Sequence, residues 1–203
     1  PKGSDTVLVP FVGSGTFSYE SQLMLRGFSN LNWKDWFLSK SPFQVEATIK
    51  NHIKGYKKSN LPDILCVDSD TSAIESAKLN QSALSGDDPA YVAKYFVGDF
   101  FSIDLSNEFK DSVNLFLPLN PPWGERLGDP SKSLGLYVKI ANYIVSLCLS
   151  KNVYGFILCA DHKTWSVCKS IFNQADVLVN TVHYTQGGTH VRALYFNKER
   201  EST

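Results

Sequence analysis

Two consecutive prolines, Pro121 and Pro122, interrupt the segment Leu117-Pro118-Leu119-Asn120-Pro121-Pro122-Trp123-Gly124-Glu125-Arg126-Leu127, and the apolar run 113–117 leads into it. That run reads as a buried strand. Neither proline has an amide hydrogen for a ladder, so the chain must leave its sheet at Asn120. In an open α/β sheet, ligands bind in the crevice outside the carboxyl ends of the strands. Here that end offers the amide of Asn120, the carbonyl of Pro121, the rigid ring of Pro122 and the indole of Trp123. The set suits a flat molecule carrying an exocyclic NH2. The Asn120 side-chain oxygen and the Pro121 carbonyl accept both amino hydrogens, which draws the nitrogen lone pair out of conjugation, while Trp123 stacks on the ring. A proline turn with a tryptophan plugging the core would use the same residues, so the rest of the chain has to decide.

Three other strand ends carry ligand-like residues. Thr6 to Val9 reads as a strand running into Pro10-Phe11-Val12-Gly13-Ser14-Gly15-Thr16, with a helical pattern following through Leu25. A glycine turn between strand and helix lets backbone amides approach a ligand, and the helix's positive end favours a carboxylate; a tight turn without ligand is the plain alternative. Ile64 to Val67 is a short strand ending at Asp68-Ser69-Asp70, before a helix from Thr71 to Gln81. An acid at the tip of a second strand can accept both ribose hydroxyls of a nucleoside, which assigns Asp68 that role with Ser69 beside it, while Asp70 fits a helix N-cap. The strand Tyr95 to Val97 ends at Gly98-Asp99-Phe100-Phe101, where the Asp99 carboxylate can accept an adenine amino group and Phe100 can cover the ring.

Beyond the central motif, Leu134 to Leu149 has helical spacing, Val153 to Ala160 is a strand, and Asp161 to Phe172 a helix in which His162 fits a cap or surface position. Val177 to Tyr184 and Val191 to Phe196 flank Thr185-Gln186-Gly187-Gly188-Thr189 as a hairpin. Between the first two units, Trp33, Trp36 and Phe37 precede a helix from Gln44 to Tyr56, and Lys50, Lys54, Lys57 and Lys58 form the densest positive cluster. That cluster is a solvated face or a contact for RNA phosphates.

At 203 residues and 43% apolar content the chain has material for one full core. Its formal charge is zero, which removes the global basic field of a protein that grips nucleic acid by charge alone. Cys66, Cys148, Cys159 and Cys168 lack CxxC spacing and sit in apolar runs, as reduced thiols of a cytoplasmic protein do. No metal site is expected, since His52, His183 and His190 have no ligand spacing. No membrane association is expected either, because no apolar run approaches the ~18 residues of a spanning helix.

Asn120-Pro121-Pro122-Trp123 resembles the fourth motif of class I amino-methyltransferases that use S-adenosylmethionine, and Gly124-Glu125-Arg126-Leu127-Gly128 resembles its extension in bacterial 23S ribosomal RNA guanine-N2 methyltransferases and their THUMP-linked relatives. Pro10 to Thr16 is similar to the first motif of the same group, with Val9 where the family carries an aspartate and Val12 where it commonly carries a cysteine. The likeness covers nearly the whole chain. It implies a Rossmann-like class I methyltransferase, an α/β fold with a mostly parallel seven-stranded sheet and a C-terminal antiparallel hairpin. Residues 1–203 would be a single catalytic domain taken from a longer chain. The resemblance further implies S-adenosylmethionine as cofactor, held by Phe11, Gly13, Ser14, Gly15, Thr16, Asp68, Ser69, Asp99 and Phe100, with catalysis at Asn120, Pro121, Pro122 and Trp123. The acceptor it implies is guanine N2 in ribosomal or transfer RNA, with an additional RNA-binding domain or partner supplying affinity. Two other readings stay open: a binding module that has lost catalysis through Val9, and an enzyme acting on DNA adenine or a protein glutamine.

Overall fold

The computed structural model describes residues 5–26, 62–85, 93–122, 130–159, 161–186 and 189–199. Their elements are β1 (Asp5–Pro10), α1 (Thr16–Arg26), β2 (Asp63–Asp68), α2 (Thr71–Ser85), β3 (Lys94–Val97), β4 (Asn114–Leu119), α3 (Pro130–Leu147), β5 (Asn152–Cys159), α4 (His162–Gln174), β6 (Leu178–Gln186) and β7 (Thr189–Lys198), with turns rather than a helix joining β3 to β4. The helix expected over Gln44 to Tyr56, with Trp33, Trp36 and the lysine cluster, lies outside the described residues, as do Trp123 and the Gly124 to Gly128 extension.

The strands form one seven-stranded sheet in the order β3-β2-β1-β4-β5-β7-β6. Pairing is parallel from β3 through β5, and β7 is antiparallel to both β5 and β6. The expected hairpin is therefore present, with its second strand inserted between β5 and its first. The expected class is observed: a mostly parallel, Rossmann-like sheet closed by an antiparallel hairpin.

Alternation along the strands splits the core into two layers. Leu8, Leu65, Val67, Leu115, Leu117, Leu119 and Ile157 face α3 and α4 and pack with Tyr137, Ile140, Ile144 and Phe172. Val7, Val9, Ile64 and Cys66 face the other way, toward Ile74 and Ala77 of α2. Because both faces are covered, the parallel strands read as continuous apolar runs. The Tyr137 hydroxyl, buried in this layer, donates to the Leu158 carbonyl at 2.7 Å. Local sequence sets the helix starts. Asp70 accepts from the Ser72 amide at 2.8 Å, Asp161 accepts from the Thr164 amide at 2.9 Å, and Pro130 opens α3 where a missing amide hydrogen is harmless.

The structure moves several expected boundaries. β4 begins at Asn114, leaving Val113 55% exposed, and continues through Pro118 to Leu119. Its ladder with β1 ends at Phe116, short of the prolyl nitrogen, while pairing with β5 continues as Pro118↔Phe156 and Leu119↔Ile157. β3 starts one residue earlier than expected, α2 reaches Ser85, and β6 reaches Gln186.

Two predictions follow from the core. A Cβ at Gly155 would collide with the Leu117 carbonyl oxygen and lie 2.8 Å from its carbon and 2.9 Å from Phe196 Cζ. Gly155→Ala should therefore lower stability by about 1–3 kcal/mol or more, read as a drop in the denaturant midpoint. The second concerns pH. Burial pushes the Cys66 thiol from its ordinary 9.0 up to about 12 and Cys148 up to about 11. The unfolded chain then loses thiol protons before the folded one does. Stability is fully present below pH 9 and should fall as pH rises toward 12, and Cys66→Ala should make that decline shallower in chemical denaturation at stepped pH.

Candidate active site at the carboxyl end of the sheet

Strand order reverses between β1 and β4, so the connections after them leave toward opposite faces and open a crevice at their carboxyl ends. After β1 the backbone turns sharply. Phe11 has φ 56°, Gly13 φ 53° and Gly15 φ 88°, and the turn closes with the Gly15 amide donating to the Val12 carbonyl at 2.9 Å. Gly15 has two reasons to lack a side chain, since a Cβ there would sit 3.0 Å from Ala77 Cβ on α2 in addition to the backbone strain. Gly13 has only the second, with nothing nearer than the Phe11 carbonyl at 4.0 Å. Ser14 and Thr16 are exposed at the start of α1, and the Ser14 carbonyl accepts from Asn80 Nδ2 at 2.9 Å.

The β2 end is tied to this loop. Asp68 Oδ2 accepts from the Gly13 amide at 3.0 Å and its Oδ1 from the Asp70 amide at 3.0 Å, which fixes a half-buried carboxylate with one lone pair still free on each oxygen. Ser69 is exposed beside it. The β3 end is tied to β2 in turn by the Gly98 amide donating to the Asp68 carbonyl at 2.9 Å. Asp99 is exposed, with Oδ1 accepting from the Phe101 amide at 3.1 Å. That turn directs Phe100 inward: it is 4% exposed and edge-on to Phe11 at 5.9 Å and to Tyr143 at 4.7 Å. The ring left partly open at this tip is Phe101, which sequence reasoning did not single out.

At the β4 end, Asn120 is exposed and its side-chain amide makes no hydrogen bond to the described residues, while Pro121 is buried and Pro122 half-buried. A cavity of about 560 Å³ joins Asn120 to Phe11, Gly13, Ser14 and Thr16, with Val9 in its wall. It has the size of a small-molecule site. Among the expected residues, Phe11, Gly13, Ser14, Thr16 and Asn120 therefore meet in one cavity, whereas Gly15, Pro121 and Pro122 do not line it. Asp68, Ser69, Asp99 and Phe100 stand at the adjoining strand ends without lining it, and Trp123 is outside the described residues. The far wall was not foreseen: Phe17 from α1, Phe156 and Leu158 from β5, Tyr184 from β6, and Ala193 and Tyr195 from β7. The alternation Val191, Ala193, Tyr195 marks one face of β7, but only the insertion of β7 beside β5 brings it here.

A sheet of this order with a glycine turn at its point of reversal is a Rossmann-like methyltransferase fold. The chain belongs to the UPF0020 family of RMKL-like methyltransferase domains, whose pattern matches residues 1–191. It is similar to the ribosomal RNA large subunit methyltransferase K/L of Acinetobacter baylyi, with 27% identity over 153 residues, covering 68% of this chain and 19% of that protein. Among solved structures it resembles a possible methylase from Clostridium difficile 630 (TM-score 0.61, 20% identity, 98% of this chain and 49% of that one). It also resembles the magnesium protoporphyrin IX methyltransferase of Synechocystis PCC 6803 with bound SAM (TM-score 0.52, 8% identity, 96% and 70%). The chain thus spans about a fifth of the curated relative and half of the Clostridium protein.

The two glycines of the loop should respond differently to a methyl group. Gly13→Ala should cost about 1–2 kcal/mol from backbone strain alone. Gly15→Ala should cost about 1–3 kcal/mol more because of Ala77, and Ala77→Gly should recover only part of that excess in a double-mutant cycle followed by thermal denaturation, since the Ala77 Cα would remain 3.2 Å from the new Cβ.

Proposed function

We propose that this domain transfers a methyl group from S-adenosylmethionine to an exocyclic amino nitrogen of a nucleic-acid base, with guanine N2 in ribosomal or transfer RNA as the acceptor. The observation that carries the reading is the cavity shared by the positive-φ glycine loop after β1 and the side-chain amide of Asn120 after β4, which makes no hydrogen bond to the described residues. The donor set fits the cofactor. Gly13, without a side chain in the cavity wall, admits backbone close to a ligand, the start of α1 favours a carboxylate, and Asp68 keeps acceptor capacity for ribose hydroxyls. Ser69, Asp99 and the aromatic tip of β3 complete the nucleoside side of this assignment.

When bound, the cofactor supplies an electrophilic methyl group. The residues of the chain do the rest. Asn120 and the Pro121 carbonyl accept the two amino hydrogens of the base, fixing the nitrogen lone pair toward the donor, and Pro122 holds their spacing rigid. Trp123 stacks on the base. The aromatic wall of Phe17, Phe156, Tyr184 and Tyr195 limits water at the reacting atoms. No strong base is needed, because the acceptor proton leaves after the nitrogen–carbon bond has formed. A paired base cannot reach Asn120, so the target is unpaired or flipped. The supporting extension Gly124 to Gly128 resembles the guanine-N2 group, and the similarity to the K/L enzyme supports an RNA acceptor. An additional RNA-binding domain or partner is part of this proposal.

Incubating the parent protein with labelled S-adenosylmethionine and unmodified RNA, DNA and protein, followed by nucleoside mass spectrometry, should yield N2-methylguanosine. Asn120→Ala should reduce the rate by about 100- to 1000-fold, as removal of one electrostatic contact to reacting atoms does. N6-methyladenosine, or label confined to protein, would overturn the acceptor. Asp68→Ala should weaken S-adenosylhomocysteine binding by about 2–3 kcal/mol in calorimetric titration, and unchanged affinity would remove Asp68 from the site. One observation favours a second reading: the cavity wall carries Val9, buried at 1% exposure, with no carboxylate of its own. A module that binds without catalysing fits that feature, and Val9→Asp should tighten cofactor binding if the missing acid is the cause of weakness.

A further inference from the structure

The β6–β7 hairpin shows different residues on its two faces. Tyr184, Ala193 and Tyr195 line the cavity, whereas His183 and Arg192, register partners across the hairpin, lie on the opposite face with Thr181. Against that face packs α4, whose His162, Trp165 and Lys169 fall on one side of the helix at i, i+3 and i+7. Trp165 is the hub. Its indole N–H donates to Thr181 Oγ1 at 3.1 Å, the Lys169 ammonium lies 5.1 Å from its ring centroid, the Arg192 guanidinium 5.9 Å, and the His162 ring 5.2 Å. Two cations are thus held beside one aromatic ring, each within the range of a cation–π contact.

Neither cation forms an ion pair with a carboxylate among the described residues. The nearest acid in sequence, Asp161, is engaged as the cap of α4, with its oxygens accepting from the Thr164 amide and hydroxyl at 2.9 Å each. The patch therefore has positive charge in excess, in a chain whose formal charge is zero. Its place in the sheet matters. Arg192 pairs with Cys159, the last residue of β5, while Leu119, the last residue of β4, pairs with Ile157. Arg192 consequently stands two strands from the exit of β4, about 10 Å across the sheet, on the rim from which Asn120 projects.

Resting on the methyl-transfer reading, we infer that this face of α4 and the hairpin is a phosphate-docking surface for the strand of RNA flanking the target base. A single strand crossing the hairpin rim presents phosphates to Lys169 and Arg192 on the outer face while one base turns inward, between the tyrosines and Asn120. Trp165 acts as a positioning residue that holds the two cations side by side. The surface supplies a local grip in a domain whose formal charge is zero.

The test is fluorescence anisotropy of the whole domain with a short, fluorescein-labelled single-stranded RNA of mixed sequence, over a salt series. The Lys169→Glu, Arg192→Glu double variant should bind about tenfold or more weakly at low salt, and the slope of log affinity against log salt should fall by about 1.4, the loss of two single-strand phosphate contacts. The Lys169→Gln, Arg192→Gln variant, which keeps the side-chain stems, should show the same slope change if charge reversal perturbs folding. Unchanged affinity and slope in the variants, or no RNA binding by the unaltered domain, would overturn the assignment. So would equal displacement by polyglutamate of matched charge, which would identify a surface for an acidic protein. Titration with S-adenosylhomocysteine separates this idea from the methyl-transfer reading. The variants should keep wild-type cofactor affinity, since neither residue lines the cavity, and a domain that binds RNA through this patch but never binds the cofactor leaves the surface standing while the enzyme reading fails.

Discussion

A prolyl nitrogen has no hydrogen to donate, and at the centre of this sheet that fact decides where pairing stops. β1 ends at Pro10, and β4 ends at Leu119, one residue short of the Pro121-Pro122 pair into which Asn120 leads out of the sheet, so prolines stand at the ends of both neighbouring strands where the strand order reverses. Pro118 is tolerated inside β4 because the ladder with β1 has already ended at Phe116 and only the pairing with β5 continues past it. Beyond those ends, backbone amides and carbonyls have no strand to pair with and must turn to local loops or to a ligand. The glycine turn on one side and Asn120 on the other are what the chain places there. The crevice is thus a consequence of how the sheet terminates rather than a hollow added to it.

The loops at this edge are not independent. The Asp68 carboxylate binds the Gly13 amide, the Asp68 carbonyl binds the Gly98 amide, and Phe11 packs edge-on against Phe100. Three strand ends are therefore braced in series, each bond crossing from one strand to the next. This bracing accounts for a non-glycine residue at φ 56°: the strain at Phe11, about 1 kcal/mol for a left-handed backbone, is offset by the burial of its ring among Phe100 and Phe101. A change at any one tip is felt at the others. The first loop is accordingly better preorganised than glycine content alone would allow.

The parallel strands were legible because both faces of the sheet are covered, which makes each strand a continuous apolar run, and the loop residues were legible because turns of this kind need glycine. Boundaries were less so where pairing rather than burial sets them. Asn114 opens β4 as a polar residue because it donates to Asp5 and accepts from Asn152 across three adjacent strands, a network no single segment reveals. Phe100 was read as a ligand cover from its place after Asp99, but the Asp99 to Phe101 turn rotates it into the core. The far wall of the cavity was illegible for a topological reason. Tyr184 and Tyr195 reach Asn120 only because β7 inserts between β5 and β6, and that choice is made by long-range pairing.

Val9 shows how a single apolar residue redistributes the demands on a site. It packs with Val7, Val12, Ile74 and Ala77, so the wall it contributes has low polarity and offers no compensation to a buried ammonium group. An acid at this position would itself be costly in the empty site, because its charge would sit among aliphatic neighbours without a partner. The valine therefore favours the stability of the unliganded fold over charge complementarity. On the methyl-transfer reading, recognition must then shift toward the nucleoside half of the cofactor. Asp68 and Asp99 keep lone pairs available there, and the start of α1 still meets a carboxylate through its amides. The amino group of the methionine end is left to water or to carbonyls of the loop, and this puts the weight of binding on the braced ends of β2 and β3 rather than on β1.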